Sequence, residues 1–592
     1  MKVFFCTKQS QAAQKLVGLA ACLGIHTEGI DLTTKAAGLC VTDMSEESRG
    51  KCGIVLDVAS LKNKYSEEEL KGLAVRLREL EIVVLLLVSN ADDPAAKFLK
   101  ILTNDAIRGI ASAEQVNRVD FPANSMMLNG ELASHSYSRK PDEAWGLTLS
   151  SDGKAQVIMA IGKSPTFVCV SLGKARMFVW VTDEVFDVLR PLTAEIEFEQ
   201  SAHQYIPGII FLRSAFGERC WHNPSLGAGI VIDDPLLREN YGFINFPRLL
   251  ESARKHRYHI TLAFIPWNHW RSRFKQVQMF RRYSDCFSIC AHGCDHTANE
   301  FRSTDYEGLL RRNFVARERM ERHRERTGLV NEPLMVCPQE QYSSEAMRAF
   351  ADSRQFVGLI CTACMPRNLS SPQICGADLL LPAQDSFYGF PVFKRHYWNG
   401  MAVFAMSLFL GKPAVLVEHH EFFRNGSVGA EKFAQGLAEL RSDLKWTSLA
   451  ETVMRTHARR RLSKNKEEVR FFTDTFYLEH EFERPAELRL VRRLPETIHV
   501  ERVRVGSRDV PFNREDGFLT FETQLQRPET LTVQVHVAPI KPTTCYSPGV
   551  RYQASVALRR GLSELRDNII ARNRTALRTG RRLMKLLKQT AS

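Results

Sequence analysis

Ala228-Gly229-Ile230-Val231-Ile232-Asp233-Asp234-Pro235 runs a short apolar stretch straight into two adjacent carboxylates and a proline. Apolar residues without polar alternation fit a strand buried on both faces, as in a parallel sheet or barrel. Acids at the end of such a strand lie at the carboxyl edge of the sheet, where active sites of parallel α/β folds collect. A second strand-like run, about sixty residues on, ends in Ile289-Cys290-Ala291-His292-Gly293-Cys294-Asp295-His296. Histidines four apart lie on one face of a helical turn, so both imidazoles can reach one cation, with a carboxylate from another strand completing the set. Three protein ligands with open positions describe a catalytic metal site better than a closed structural one.

Taken together, the two motifs resemble the first two of the polysaccharide deacetylase family (carbohydrate esterase family four). The string His292-Gly293-Cys294-Asp295-His296-Thr297-Ala298-Asn299-Glu300-Phe301 is similar to its divergent branch, in which Gly follows the first histidine. The resemblance spans residues 205–455 and implies a distorted (β/α) barrel there. It implies Asp233 as general base and Asp234, His292 and His296 as ligands of a divalent metal, zinc foremost. Such a cation acidifies water and polarises an acetamide carbonyl, while a cationic histidine protonates the departing amine. The family places that histidine after a late barrel strand, and here Ala414-Val415-Leu416-Val417-Glu418 is followed by His419 and His420. Adjacent side chains on a strand face opposite ways, so one of the two faces the pocket; His419 is preferred and the phase is left open.

A third match is partial. Met335-Val336-Cys337-Pro338-Gln339-Glu340-Gln341-Tyr342-Ser343 lies where the family has its Arg-Pro-Pro-Tyr motif, and the arginine is absent. Arg395 is the candidate replacement. Trp267 and Trp270, in the aromatic cluster after a further strand, are candidates to stack on a sugar face. With Tyr342 and Arg395 they form the expected substrate-binding set. The implied activity is removal of N-acetyl groups from a sugar or glycan precursor. The missing arginine motif suggests an alternative, a catalytically degenerate deacetylase-like protein that binds glycan or serves as a scaffold in polysaccharide assembly.

The rest of the chain frames this region. At 592 residues, several domains are expected. Residues 1–110 alternate apolar strands with helical patterns, which predicts an open α/β sheet. Residues 111–204 carry three further strand-like runs and resemble the sheet of the class I glutamine amidotransferase-like fold, without a nucleophile elbow. Period-two alternation over 468–540 predicts a small antiparallel β-domain of sandwich type. Residues 552–592 read as a basic amphipathic helix interrupted at Gly580. The fold class expected is therefore multidomain α/β.

Hydrophobic residues at 44% and charged residues at 25% exclude a disordered or membrane-embedded chain. The longest apolar runs fall short of the roughly 18–20 residues that span a bilayer. Without a signal-peptide pattern at the N-terminus, a cytoplasmic location is expected, and with it a substrate made inside the cell, such as a lipid-linked glycan. Fourteen scattered cysteines fit reduced thiols, and Cys361-Thr362-Ala363-Cys364 lacks the second pair a zinc knuckle needs. Lys plus Arg number 80 against 67 Asp plus Glu. Residues 561–592 hold eight of those cations against Glu564 and Asp567. This segment fits an anionic membrane surface, at the inner face of the membrane, or packing on its own protein; nucleic acid is set aside, because no aromatic interleaving accompanies the charge. The arginine-rich run Leu309 to Arg326 reads as a solvated helix.

Overall fold

The computed structural model describes residues 2–6, 10–29, 53–61, 65–89, 91–140, 144–193, 198–368, 374–480, 486–525 and 529–572. Its N-terminal unit is a nine-stranded sheet. The order is His26–Gly29, Lys2–Cys6, Gly53–Asp57, Val83–Val88, Ala175–Val181, Ser164–Leu172, Ala155–Ile161, Arg118–Asp120 and Ser136–Ser138. The first five are parallel and the rest antiparallel. The division expected at 110/111 thus falls inside one sheet, and residues 111–204 supply its antiparallel half. The reason is chemical: Val83–Val88 is apolar on both faces, and Ala175–Val181, apolar apart from the exposed Arg176, pairs along the whole of it.

Helices cover both faces of this sheet. Gln11–Cys22 and Ile206–Phe216 pack on Val55, Leu85, Leu87, Phe178 and Trp180. Glu67–Glu79 and Asp93–Leu102 pack on Ile54, Leu56, Val84, Leu86 and Val179. The second pair is well punctuated: Ser66 and Glu69 form a capping box, and Asp92 caps Asp93–Leu102 ahead of a proline in the first turn.

The middle region is a nearly closed barrel of seven parallel strands. Their order is Val392–Lys394, Leu359–Cys361, Glu332–Val336, Phe287–His292, Ile260–Phe264, Gly227–Asp233 and Ala414–Glu418, with Lys445–Trp446 beside the start of Gly227–Asp233. All seven residues of Gly227–Asp233 are buried, as its unbroken apolar run requires. One residue closes the ring: the His396 N–H donates to the Val415 carbonyl at 2.9 Å, and the Val417 N–H donates to the His396 carbonyl at 2.9 Å. Helices including Phe246–His256, Tyr306–Thr327 and Val428–Leu440 surround it. The longest, Tyr306–Thr327, starts at an Asp305 cap and ends at Gly328 in the left-handed region.

Two small sheets packed on one apolar core follow. One contains His457–Arg461, Lys466–Phe471, Ala486–Arg493, Phe518–Leu525 and Asn513–Glu515; the other contains Thr475–His480, Glu529–Val537, Val500–Val505 and Arg508–Val510. The unit begins earlier than 468, because the basic run His457–Arg461 is its first strand. Its charge is balanced across the ladder, where Arg459 and Arg460 pair with Glu467 and Glu468. The sheets are antiparallel except where Lys466–Phe471 meets Ala486–Arg493.

From Val537 the chain returns to the barrel and forms the helix Val550–Leu565, extended by a wider turn over Arg566–Ile570. Residues 573–592 of the expected basic helix lie outside the described residues. Among the described residues, no helix is long and apolar enough to cross a membrane.

Candidate functional site

The site-bearing residues stand at the carboxyl ends of the barrel strands. Asp233 closes its strand, and Asp234 turns the chain with φ at +80°, a conformation rare for a residue with a side chain. That turn brings both carboxylates to the barrel mouth. His292 is the last residue of Phe287–His292.

His296 arrives differently from the sequence expectation. Residues 293–296 do not form a helical turn; they wrap around the buried carboxylate of Glu300, which accepts the backbone N–H groups of Cys294, Asp295 and His296 at 3.1, 2.8 and 3.1 Å. A side chain at Gly293 would strike the Glu300 carboxylate, so glycine there lets the loop close, with φ at +67°. Burial pushes the Glu300 carboxyl up, against the pull of those amides. His292 and His296 converge because this loop is folded, with ring centroids 4.8 Å apart.

Asp234, His292 and His296 place one ligand atom each within 4.8 Å of one another. The His296 Nε2 lies 3.2 Å, and the His292 Nε2 3.8 Å, from Asp234 Oδ1. That Asp234 oxygen is buried and accepts no hydrogen bond. The His292 Nδ1 lies 3.1 Å from the Val336 carbonyl, which fixes its proton on that nitrogen and leaves Nε2 as a free donor pair. Burial pushes the His292 imidazole well below its ordinary range, so it is neutral at pH 7. Burial opposes charge on Asp234, but the adjacent His296 and His292 hold its carboxyl below the usual range. Two imidazole nitrogens and an orphaned carboxylate oxygen fit a divalent cation such as zinc.

Arg395, expected among the substrate contacts, is fully buried and meets Asp233 instead. Its Nη1 and Nη2 donate to the two Asp233 oxygens at 2.8 Å each, and Nη2 also reaches Glu340. Glu340 in turn accepts from Thr362 Oγ1 at 2.6 Å. Burial works against the charge on Arg395, but Asp233 and Glu340 raise its pKa well above the ordinary value. Arg395 follows the strand Val392–Lys394, and Glu340, from the string 335–343 that lacks an arginine, helps to hold its guanidinium. Tyr342 is also corrected: it is fully buried in the barrel core, and its hydroxyl donates to the Ala363 carbonyl. An aromatic one turn after a strand packs as readily in a core as in a pocket.

The two late histidines divide. His419 stacks on Tyr397 at 6.2 Å and lies close enough to Asp234 and Glu418 to influence both carboxyls. His420 is buried against Phe243, and its Nε2 lies 3.4 Å from Asp567. Trp267 is half-buried under the Arg319 guanidinium, and Trp270 is 61% exposed.

Several residues of the site gave no sequence signal. Arg319, in the run read as solvated, reaches inward to Asp295, as do the hydroxyls of Tyr546 and Tyr552 at 2.7 and 2.8 Å. Arg560 lies against His296 and Asp234. Asp295, Glu300 and Glu340 stood inside strings already marked by the motifs.

No family model matches the sequence, and no curated protein matches it. Among solved structures the chain is similar to Agd3, described as a novel carbohydrate deacetylase, at 10% identity over 91% of this chain and 99% of that one, with a TM-score of 0.45. It is also similar to a family 4 carbohydrate esterase from Bacillus anthracis (13% identity, 39% and 86% covered, TM-score 0.24). A polysaccharide deacetylase from Mycobacterium smegmatis is similar at 14% identity, with 38% and 90% covered and a TM-score of 0.25.

Proposed function

We propose that this chain is a metal-dependent hydrolase that removes an acetyl group from an N-acetylated sugar. The observation that carries the reading is the orphaned Asp234 oxygen facing two imidazole nitrogens, beside an Asp233 held at both oxygens by Arg395. Asp234, His292 and His296 would hold the cation. When bound, it supplies Lewis acidity toward the acetyl carbonyl and lowers the pKa of water. Asp233 takes the proton of the attacking water, and Arg395 fixes its orientation. His419 gives a proton to the departing nitrogen as the C–N bond breaks, so acetate and a free amino sugar leave. Trp270 is the exposed aromatic left to contact a sugar face.

The degenerate alternative rested on the missing arginine, and the pairing of Arg395 with Asp233 supports the enzyme reading over it. The experiment is metal analysis of the purified protein together with acetate release from N-acetylhexosamine oligosaccharides. Stoichiometric zinc or another divalent ion, lost in Asp234→Ala along with acetate release, supports the reading. Unchanged metal content in Asp234→Ala sinks it.

A lipid-linked substrate is the finer part of the same proposal. Leu558, Leu562, Leu565 and Ile569 form an exposed stripe at helical spacing, 44–65% accessible, with Arg559 and Arg566 on the same helix. An apolar stripe among cations fits an anionic bilayer surface at the cytoplasmic face. Co-sedimentation with phosphatidylglycerol vesicles, lost with phosphatidylcholine alone and weakened in Leu562→Glu, is the expected result.

A further inference from the structure

We infer that residues 540–572 form a strap closed over the candidate metal centre, and that the strap and a divalent cation oppose each other through Arg560. The inference rests on the metal reading above and adds its regulation: the strap must lift for the site to load and to receive a sugar.

The strap is tied down along its length by polar contacts. The Ile540 N–H donates to the Asp352 carbonyl at 2.8 Å and Thr543 Oγ1 to Glu307 at 2.8 Å. Tyr546 and Tyr552 both donate to Asp295, in the loop between the two histidines. Glu564 receives a two-pronged grip from Arg271, with Nη2 to Oε2 at 2.8 Å. Asp567 accepts from the Tyr241 hydroxyl at 2.9 Å and faces His420, and Asn568 accepts the Gly242 N–H at 2.9 Å. Tyr552, Arg560, Glu564 and Asp567 recur at near-helical spacing, so one polar face of the helix lies on the barrel mouth.

Closure hides the chemistry. The side chains of Asp233, Asp234, His292 and His296 are 3, 13, 2 and 11% exposed. An acetamido group attached to a sugar ring cannot approach carboxylates and imidazoles so covered, so substrate access requires movement of the covering segment.

Arg560 makes closure and cation binding antagonistic. Its side chain is 7% exposed, with Nη1 4.0 Å from Asp234 Oδ1 and Nη2 3.4 Å from His296 Nδ1. A histidine that ligates through Nε2 carries its proton on Nδ1 and donates it to an acceptor. A guanidinium has five donors and no acceptor, so in the closed strap two N–H groups would oppose each other. A dication beside the same carboxylate adds like-charge repulsion. Linkage then makes the effect reciprocal: whatever weakens closure tightens the cation, and the cation loosens the strap.

The closed state draws little on apolar burial. The helix Val550–Leu565 buries one apolar side chain, Val556, while its leucines point outward. One such side chain contributes about 1.5–3 kcal/mol. The strap is held chiefly by side-chain hydrogen bonds and an ion pair, so lifting it exposes little apolar surface.

The experiment uses the full chain. Zinc affinity is measured by calorimetry for the wild type, Arg560→Gln, Arg560→Lys and Glu564→Gln, with amide hydrogen exchange over 550–565 with and without zinc. Arg560→Gln and Glu564→Gln are expected to tighten zinc binding by about 5- to 100-fold, the usual range of coupling. Arg560→Lys, which keeps the charge, stays nearer the wild type. Zinc speeds exchange over 550–565 in the wild type. Unchanged or weaker affinity in both neutral variants, or slower exchange with zinc, overturns the inference while leaving the metal centre standing. Fast exchange over 550–565 in zinc-free wild type overturns the strap alone. No cation binding in any variant overturns the metal centre and the antagonism with it.

Discussion

At the carboxyl end of the barrel, the buried Arg395 guanidinium binds both oxygens of Asp233 and one of Glu340, and, against the effect of burial, it holds the Glu340 carboxyl below its ordinary range. At the amino end, Glu332 is buried with no cation beside it among the described residues, and burial pushes its carboxyl up to about 7. It accepts the Ala450 N–H at 3.2 Å. Nearby, Ser288 Oγ lies 3.0 Å from His259 Nε2 and 2.8 Å from Thr261 Oγ1, and burial likewise pushes the His259 imidazole down. One barrel therefore handles buried polar groups in two ways. Around Glu332 burial works against the charge and the neighbours are hydroxyls and amides, which serves stability; at the carboxyl end a guanidinium holds and orients the carboxylates, which serves the proposed chemistry.

The comparison breaks most visibly at Asp233. Asp233→Asn should lower acetate release about 10²–10⁴-fold while zinc content stays at the wild-type level, the signature of a lost base. A variant that retains activity would move the base elsewhere. Arg395→Met leaves two buried carboxylates without their cation and should cost about 3–5 kcal/mol of stability in urea unfolding. His419→Gln should lower turnover about 10²-fold, with His420→Gln affecting it far less. An equal loss in both would mean that the pocket does not distinguish them.

Glu332 sharpens the other half of the contrast. Its folded pKa of about 7 exceeds the ordinary 4.5, so the native state holds the proton more tightly than the unfolded chain. Stability is then undiminished below pH 4.5 and falls as pH rises through 7. Glu332→Gln should abolish that fall, gaining about 2–3 kcal/mol on the wild type between pH 5 and pH 8 in denaturant titrations.

What could be read in the sequence was whatever chemistry lies next to its own secondary structure. Asp233 and Asp234 were legible because a buried strand spells itself out in apolar residues and its end is marked by the first acids. His292 and His296 were legible by spacing, but the helical turn was wrong. Nothing local announces that Glu300 gathers three amides, because a carboxylate cradle competes with helix only once the loop is packed. Arg395, 162 residues from Asp233, was a candidate for the missing arginine only through the family resemblance, because nothing local in the sequence ties the two together. The C-terminal helix was read as a basic amphipathic segment that lies on a membrane surface or packs on its own protein; in the structure Leu558, Leu562 and Leu565 face outward and the polar side meets the barrel. Amphipathicity reveals two faces and does not say which one the rest of the protein takes.

Asp234 holds a backbone angle that most side chains avoid, at an expense of about 1–2 kcal/mol relative to glycine. In a lineage relieved of its chemistry, drift toward glycine or asparagine there would be rewarded by a firmer fold. A carboxylate that persists at this turn is kept against that gradient, and the conformation itself acts as a running test of whether selection still uses the site.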